Sequence, residues 1–318
     1  MRIGVIGAGG TGGLYGGLLA RAGHEVSFLA RGAHLAAIQD RGLTVQSADF
    51  GTFSVPAHAS DDPAELGQSE LVLFAVKTYD LPSAAQAAAS MTTPNGHVLT
   101  LQNGLDAPDQ LADVVGRERV LIGTTALETT ILEPGVIGHL TPGHLINVAS
   151  YTGPPSEAVE RTVNALKEAG MNANATLDGH RALWEKAFIL IPMATLTSLC
   201  QSSIGPIRDL PETRALSAAL LREVGEVARA RGHDLAPLEA RALDMLDRIP
   251  YTMKASMARD FERGRRTELD ALTGALVRFA DRHGLEIPTT RAAYAVLKLR
   301  EQQAAGAHEA LGTSTLSR

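Results

Sequence analysis

Short apolar runs alternate with helix-like segments along the first 178 residues. The predicted strands are 3–6, 25–29, 71–76, 97–101, 120–124 and 173–177, with shorter strands in a meander over 130–152. Helices are predicted after the first strand, ending at Gly23, and at 81–91 and 156–169. This alternation predicts an α/β fold built on a Rossmann-type, doubly wound parallel sheet.

From about residue 179 the pattern changes to long helical segments with almost no strand signal. The predicted helices are 181–197, 210–231, 237–246, 253–263, 268–283 and 289–302. We therefore predict two domains, a nucleotide-binding domain at 1–178 and an all-helical domain at 179–318, with a frayed tail at 303–318.

The first predicted strand leads into a glycine-rich turn. It consists of Gly7, Ala8, Gly9, Gly10, Thr11 and Gly12. Gly7 permits a tight turn, Gly9 lets a pyrophosphate approach the backbone, and Gly12 lets the next helix lie close to the sheet. Because a helix N-terminus attracts phosphate, we predict that this unit binds a dinucleotide.

The end of the second strand indicates which dinucleotide binds. A site for NAD places Asp or Glu there to bind the ribose hydroxyls, whereas this chain has Ala30, Arg31 and Gly32. A guanidinium binds a 2′-phosphate through a fork of donors, and a carboxylate would repel it. Arg31 therefore favours NADP(H) over NAD(H). The alternative is a solvated surface arginine.

Composition narrows the class of protein. Of the 318 residues, 45% are hydrophobic and 20% are charged, and the net charge of -6 argues against a nucleic-acid surface. The only cysteine, Cys200, cannot form an intrachain disulfide, and the first strand leaves no room for a signal peptide. No apolar run approaches the ~20 residues of a membrane span. We expect a cytoplasmic protein without a metal, whose second-domain helices form either a dimer interface or the domain core.

Lys186 lies on an otherwise apolar stripe of the first helix of the second domain. Its neighbours at i+3, i+4, i+7 and i+8 are Ile189, Leu190, Met193 and Ala194. Desolvation makes a charged lysine a better proton donor, which suits a general acid. The alternative is a lysine that snorkels from a helix end.

A second polar cluster lies in the segment SMARDFERGRRTELDALTG. Gly264 is predicted to end one helix. Thr267 and Asp270 form a T-x-x-D capping box that starts the next helix, so that Glu268 lies in its first turn. Capping alone could explain these three residues, and Ser256 could be a surface hydroxyl.

Taken together, the motifs resemble the ketopantoate reductase family, also called 2-dehydropantoate 2-reductases. The resemblance rests on GAGGTG, VKTYD, LQNG, WEKAF and SMARDFERGRRTELDALTG, in that order over nearly the whole chain. It implies a Rossmann domain followed by a helical domain, with the active site in the cleft between them. The implied reaction is the NADPH-dependent reduction of a 2-oxo acid, in pantothenate and coenzyme A synthesis for the type member.

The resemblance also implies residue roles on the cofactor side. Lys186 matches the proton donor, and Asn103 matches an asparagine that contacts both cofactor and substrate. Lys77 matches a lysine on the cofactor side of the cleft. The backbone near Glu128 corresponds to a cofactor contact. Glu268 matches a glutamate that contacts the cofactor ribose and organises the catalytic lysine.

On the substrate side the chain departs from the family pattern. Ser256 matches the serine that binds the substrate carboxylate, but three asparagines that follow the family's lysine are Leu190, Ala194 and Ile204 in this chain. We expect Lys186, Leu190, Ala194 and Ser256 to line the substrate pocket. The pocket should lose hydrogen bonds to the hydroxyl of ketopantoate, which favours a more hydrophobic 2-oxo acid.

These expectations describe an NADP-dependent oxidoreductase acting on a CH–OH group, of the 2-dehydropantoate 2-reductase type. One alternative is a 2-hydroxyacid dehydrogenase of the same family that acts on a branched or aromatic 2-oxo acid. A remote alternative is a non-catalytic NADP(H)-binding protein.

Overall fold

A computed structural model describes the backbone of residues 1–314 and the side chains of residues 1–304. The chain divides into two compact units, residues 1–182 and 183–318. The first is an α/β unit built on a mainly parallel sheet, and the second is helical, which confirms the predicted fold class.

Two sheets form the framework of the first unit. The strands are β1 (Arg2–Ile6), β2 (Glu25–Leu29), β3 (Leu43–Ser47), β4 (Gly51–Val55), β5 (His58–Ser60), β6 (Ser69–Phe74), β7 (Thr92–Thr100), β8 (Val120–Thr125), β9 (Thr129–Glu133), β10 (Val136–His139), β11 (Leu145–Ser150) and β12 (Asn172–Ala175). The eight-stranded sheet has the order β12-β11-β8-β7-β6-β1-β2-β5, and the four-stranded sheet has the order β4-β3-β10-β9. Strands β5, β2, β1, β6, β7 and β8 run parallel.

Helices connect these strands. They are α1 (Gly10–Arg21), α2 (Gly32–Arg41), α3 (Pro63–Leu66), α4 (Leu81–Met91), α5 (Ala107–Val115) and α6 (Glu157–Glu168), and short 3-10 turns occupy Thr78–Asp80 and Arg117–Arg119. Helix α4 has the bounds that its sequence predicts. Gly23 follows α1 with a φ of +94° and donates to the carbonyl of Ala20, as expected of a residue that ends a helix.

Glycines on α1 allow this helix to pack closely against both sheets. A Cβ at Gly16 would lie 2.5 Å from the ring of Phe28 in β2, and one at Gly13 would lie 2.6 Å from Ile137 in β10. Real Cβ atoms do not approach that closely. The run of glycines that begins in the turn therefore also explains how a second, smaller sheet fits against α1.

The meander predicted over 130–152 is wrong in its topology. Strands β9 and β10 form an antiparallel pair in the smaller sheet, whereas β11 joins the main sheet antiparallel to β8. Strands β3, β4 and β5 were not predicted from the sequence. Strand pairing joins residues that are distant along the chain, so local alternation of apolar residues cannot assign a strand to one sheet or the other.

The described helices of the second unit begin with one that crosses the division between the units. They are α7 (Gly179–Leu199), α8 (Ile204–Asp209), α9 (Pro211–Ala230), α10 (Ala236–Glu239), α11 (Ala242–Asp247), α12 (Ser256–Glu262), α13 (Thr273–His283) and α14 (Pro288–Ser314). The helix predicted at 237–246 is two short helices. The tail predicted to fray from 303 is helical as far as Ser314, because its alanines and glutamate favour helix, and 315–318 lie outside the described residues.

The predicted capping box at Thr267 and Asp270 is wrong. Helix α13 begins only at Thr273, so Glu268 lies in a turn before the helix and not in its first turn. The backbone N–H and hydroxyl of Thr267 both donate to the carboxylate of Glu301 in α14. Asp270 instead accepts from Tyr294 and Lys298. The carboxylate of Glu301, which is distant along the chain, therefore accepts from Thr267 in place of the nearby carboxylate of Asp270.

Helix α7 bears on the prediction that no apolar run approaches the ~20 residues of a membrane span. Within the described residues it is one helix that is long and apolar enough, by length and composition, to cross a membrane. Most of its apolar stretch is buried inside the protein, as in the core helix of a globular domain. Pro192 lies inside α7 and removes one intrahelical hydrogen bond, and this helix carries Lys186.

Candidate active site

Four sequence-predicted positions follow four neighbouring parallel strands. Arg31 follows β2, the glycine-rich turn follows β1, Lys77 follows β6 and Asn103 follows β7. The sheet order β7-β6-β1-β2 therefore places them in a row along the carboxyl edge of the sheet. Ligands of open α/β sheets bind at this edge.

Hydrogen bonds near the carboxyl ends of these strands hold the segments that follow in the same order as the strands. They join Gly7 N to Leu29 O (3.4 Å), Ala75 N to Ile6 O (2.9 Å), Leu101 N to Phe74 O (3.0 Å) and Gln102 Nε2 to Val76 O (3.0 Å). The four segments after the strands are thus held to one another by direct bonds. Gln102 is buried and lies next to Asn103, which is half-buried.

The glycine-rich turn has the features that a phosphate needs. Gly7 adopts a φ of +93°, and a Cβ there would lie 2.7 Å from the backbone N of Val76. A Cβ at Gly12 would overlap the carbonyl oxygen of Gly7, whereas one at Gly9 would meet nothing within 4 Å. The first turn of α1 carries no acidic residue and no capping side chain. This open backbone at a helix N-terminus fits a dinucleotide pyrophosphate.

Glu128 precedes a residue that lies beside the glycine-rich turn, and two residues beside this turn were not predicted from the sequence. Thr129 follows Glu128 and begins β9, and the Thr129 hydroxyl is 3.4 Å from that of Thr11. A Cβ at Gly10 would lie 2.7 Å from the backbone of Thr129. The second missed residue is His34, whose ring is bonded to the carbonyl of Ala8. Neither contact leaves a local sequence signal, because each joins segments that are distant along the chain.

Arg31 is the N-cap residue of α2 and has an exposed side chain. Its guanidinium lies 3.0 Å from the carboxylate of Asp80, at the end of the 3-10 turn that follows β6. Asp80 is the last residue of the VKTYD motif, but no role was predicted for it from the sequence. The predicted phosphate-binding cation therefore has an anionic neighbour.

In the helical unit, the charge of Glu268 acts on the pKa of Lys186. Lys186 is partly accessible, and desolvation lowers its pKa from 10.5 to about 8, although the negative charge of Glu268 acts in the opposite direction. Glu268 is 7% exposed. A carboxylate from a distant part of the chain thus acts on the pKa of Lys186, and the desolvation of this lysine favours the proton-donor interpretation over snorkelling.

The three apolar substitutions near Lys186 occupy different environments. Leu190 is half-buried one turn along α7, whereas Ala194 and Ile204 are 1% and 0% exposed. Of these three positions only Leu190 has accessible surface beside Lys186. The structure therefore places Ala194, expected to line the substrate pocket, in the packed interior.

Ser256 is exposed at the first residue of α12. The preceding residue, Ala255, donates its N–H to the hydroxyl of Thr197 in α7 at 3.4 Å. Nearby, Met253 O accepts from the N–H of Ile204. The first bond ties the Ser256 segment to α7, the helix that carries Lys186, and the second ties it to the start of α8.

The sequence matches two family models over most of its length. The model described as ketopantoate reductase PanE/ApbA matches residues 3–152, and the model of its C-terminal region matches residues 178–301. A 2-dehydropantoate 2-reductase of Halobacterium salinarum is 30% identical over 95% of this chain and 99% of its own length. This chain belongs to the ketopantoate reductase family. It is an oxidoreductase of the CH–OH group and an NAD(P)-dependent reductase.

Solved structures support the same family and fold. A PanE/ApbA family ketopantoate reductase from Ralstonia eutropha is 31% identical, covers 96% of this chain and 100% of its own, and superposes with a TM-score of 0.88. A D-mandelate dehydrogenase in complex with NADH and anilino(oxo)acetate has a TM-score of 0.87 over 96% of this chain and 100% of its own, at 21% identity. At that identity the likeness shows the fold alone.

Proposed function

We propose that this chain catalyses the NADPH-dependent reduction of a 2-oxo acid to a 2-hydroxy acid, with Lys186 as the proton donor. The state of Lys186 carries the proposal, because this partly accessible lysine has a pKa of about 8 and senses the charge of the buried Glu268. A general acid works best when its pKa lies near the operating pH. A lysine with an ordinary pKa would release its proton far less readily.

In this proposal, residues at the carboxyl edge of the main sheet hold the cofactor. The pyrophosphate lies on Gly7, Ala8, Gly9, Gly10, Thr11 and Gly12. Arg31 binds the 2′-phosphate, Lys77 and Asn103 lie on the nicotinamide side, and the backbone near Glu128 adds a contact. The order of the strands, the open backbone at Gly9 and the uncapped start of α1 support this assignment.

When bound, the cofactor supplies a hydride for the carbonyl carbon of the substrate. Lys186 Nζ gives a proton to the carbonyl oxygen. Glu268 stabilises the ammonium form of Lys186 and so keeps the donor charged before reaction. Ser256 donates a hydrogen bond to the substrate carboxylate, and the Asn103 amide orients the substrate.

The domain assignment follows from these roles. We assign residues 1–178 to cofactor binding and residues 179–318 to substrate binding and proton transfer. A small 2-oxo acid is the proposed partner, and the cytoplasm is the proposed location, where the single Cys200 has no need of a disulfide partner.

The decisive experiment is steady-state NADPH oxidation with ketopantoate, 2-oxoisovalerate, phenylpyruvate and benzoylformate. Lys186→Ala should lower kcat by at least about a hundredfold while NADPH binding, followed by fluorescence, is retained. Lys167→Ala, which removes an exposed lysine in α6, is the matched control. NADPH binding without oxidation by any of the four acids would contradict the proposal.

The choice of NADPH over NADH is tested at Arg31. Arg31→Ala should raise KM for NADPH while leaving KM for NADH nearly unchanged, because only NADPH carries the 2′-phosphate. An unaltered cofactor preference in this variant would overturn the proposed role of Arg31. The proposed role of Lys186 would not be affected.

A second candidate is a 2-hydroxyacid dehydrogenase that acts on a branched or aromatic 2-oxo acid. The accessible side chain one turn beyond Lys186 is the apolar Leu190, and the positions of two further family asparagines, Ala194 and Ile204, are filled by buried apolar groups. An apolar pocket cannot hold a substrate hydroxyl strongly. A preference for ketopantoate over 2-oxoisovalerate would favour the first candidate, and the reverse would favour the second.

A further inference from the structure

His34 is held by two hydrogen bonds to backbone groups from different parts of the first unit. Its Nε2 lies 2.8 Å from the carbonyl oxygen of Ala8. Its Nδ1 accepts from the backbone N–H of Gly135 at 3.0 Å. An N–H can only donate, so Nδ1 carries no proton and the ring's single proton is on Nε2. The imidazole is therefore neutral, and it donates to Ala8.

The bond to Ala8 fixes the orientation of a peptide group inside the glycine-rich turn. In a planar trans peptide the carbonyl of one residue and the N–H of the next point in opposite directions. When the Ala8 carbonyl faces His34, the N–H of Gly9 faces away from it. A Cβ at Gly9 would meet nothing within 4 Å, so open space adjoins this peptide.

The bond to Gly135 joins the same ring to the turn between β9 and β10. That turn also contacts α2 through Arg41, whose guanidinium donates to the carbonyl of Pro134 at 2.7 Å. The other end of β9, at Thr129, touches the glycine-rich turn at Gly10. His34, which lies on α2, thus connects this helix to the glycine-rich turn and to the β9–β10 hairpin.

We propose that His34 is a positioning residue for the cofactor: it holds the Ala8–Gly9 peptide so that the Gly9 N–H is presented to the dinucleotide pyrophosphate. This role rests on the proposed function, because it needs a dinucleotide at the glycine-rich turn. Burial lowers the pKa of the His34 imidazole, which agrees with the neutral form that the two bonds require.

Two polar variants each keep one of the two hydrogen bonds of His34 and remove the other. The amide of His34→Asn lies near the position of Nδ1 and can still accept from Gly135, but it is too short to reach Ala8. The amide of His34→Gln lies near the position of Nε2 and can still donate to Ala8. The matched control is Gln39→Leu, because Gln39 lies on the same helix and donates to the carbonyl of Ala59 at 3.0 Å, away from the glycine-rich turn.

The experiment measures the Kd of NADPH by fluorescence titration of each full-length variant without a 2-oxo acid, and the thermal unfolding midpoint of each cofactor-free variant. We expect His34→Asn to raise Kd about tenfold, equivalent to ~1.4 kcal/mol, and His34→Gln and Gln39→Leu to stay within about twofold of the wild type. Equal Kd values in both His34 variants, or a loss of affinity that follows the loss of stability across all three, would overturn the proposal.

Cofactor binding by the wild-type chain shows whether a negative result concerns the role of His34 alone or the proposed function as well. A wild-type chain that binds neither NADPH nor NADH overturns both. A wild-type chain that binds NADPH, together with a His34→Asn variant that binds it equally well, overturns only the role of His34.

Discussion

The guanidinium of Arg31 lies 3.0 Å from a carboxylate oxygen of Asp80. Arg31 follows β2 and Asp80 follows β6, so the pair spans the carboxyl end of β1, which lies between these strands. The Arg31 side chain is 82% exposed and that of Asp80 is 27% exposed. A 2′-phosphate that binds Arg31 therefore meets a carboxylate that already accepts from the same guanidinium.

Removing that carboxylate should favour NADPH. In Asp80→Asn we expect KM for NADPH to fall by up to about fivefold, because an exposed ion pair is worth at most about 1 kcal/mol. KM for NADH should change less, since NADH has no 2′-phosphate. The measurement is steady-state kinetics with both cofactors.

The matched control is Glu70→Gln, which makes the same charge change near the amino end of β6. It should leave both KM values unchanged. Equal shifts for NADPH and NADH in Asp80→Asn would contradict competition at Arg31.

The pKa of Lys186 predicts how turnover depends on pH. A proton donor must be charged, so kcat/KM for reduction should fall as pH rises through about 8. Because the charge of Glu268 raises this pKa, Glu268→Gln should move the decline to lower pH. Glu185→Gln, at the neighbouring position of α7, is the control and should leave the profile in place. An identical pH profile in Glu268→Gln and the wild type would contradict an effect of Glu268 on the pKa of Lys186.

The same shift predicts a change of stability with pH. The folded pKa of about 8 lies below the unfolded value of about 10.4. Between these values the unfolded chain binds more protons, so the free energy of unfolding should rise with pH across this window. Lys186→Met removes the desolvated charge and should raise the free energy of unfolding at pH 7 and flatten that rise, while abolishing turnover. Chemical denaturation at pH 7 and pH 10 measures both effects, and a Met variant less stable than the wild type at pH 7 would show that burial does not disfavour the charge.

Two glycines of the turn should respond differently to the same substitution. A Cβ at Gly12 overlaps the carbonyl oxygen of Gly7, so Gly12→Ala should lower the thermal unfolding midpoint. A Cβ at Gly9 meets no protein atom within 4 Å, so Gly9→Ala should leave the midpoint nearly unchanged and weaken NADPH binding instead. Calorimetry and fluorescence titration separate the effects. Undiminished NADPH affinity in Gly9→Ala would argue that the pyrophosphate does not approach this residue.

The positions of Leu190 and Ala194 predict two outcomes for an introduced asparagine. Leu190 is half-buried beside Lys186, and Leu190→Asn should raise kcat/KM for ketopantoate relative to 2-oxoisovalerate, because the amide can bind the hydroxyl. Ala194 is buried, so Ala194→Asn should mainly destabilise the fold, by about 1–3 kcal/mol. Leu190→Ala controls for the change in volume. An unchanged substrate ratio in Leu190→Asn would place the substrate hydroxyl elsewhere.

Much of the cofactor-binding unit could be predicted because its signals are local. The bounds of β2 and of α4 agree with the sequence prediction, and the conformation of Gly7 follows from the spacing of the glycines. Lys186 could be singled out because one cation on an apolar helical stripe is conspicuous in the sequence. The capping box failed because Glu301, far along the chain, supplied the carboxylate that Asp270 was expected to supply.

The glycine-rich unit, the alternation of strands and helices, the helical second half and the family motifs could all be read from the chain, because each depends on residues that are close together in it. Three features required the folded chain: Arg31 has Asp80 as its neighbour 49 residues away, His34 bridges Ala8 and Gly135, and Ala194 is buried while Leu190 is half-buried. Such pairings depend on which distant segments pack together, and the periodicity of a single segment carries no information about its partner.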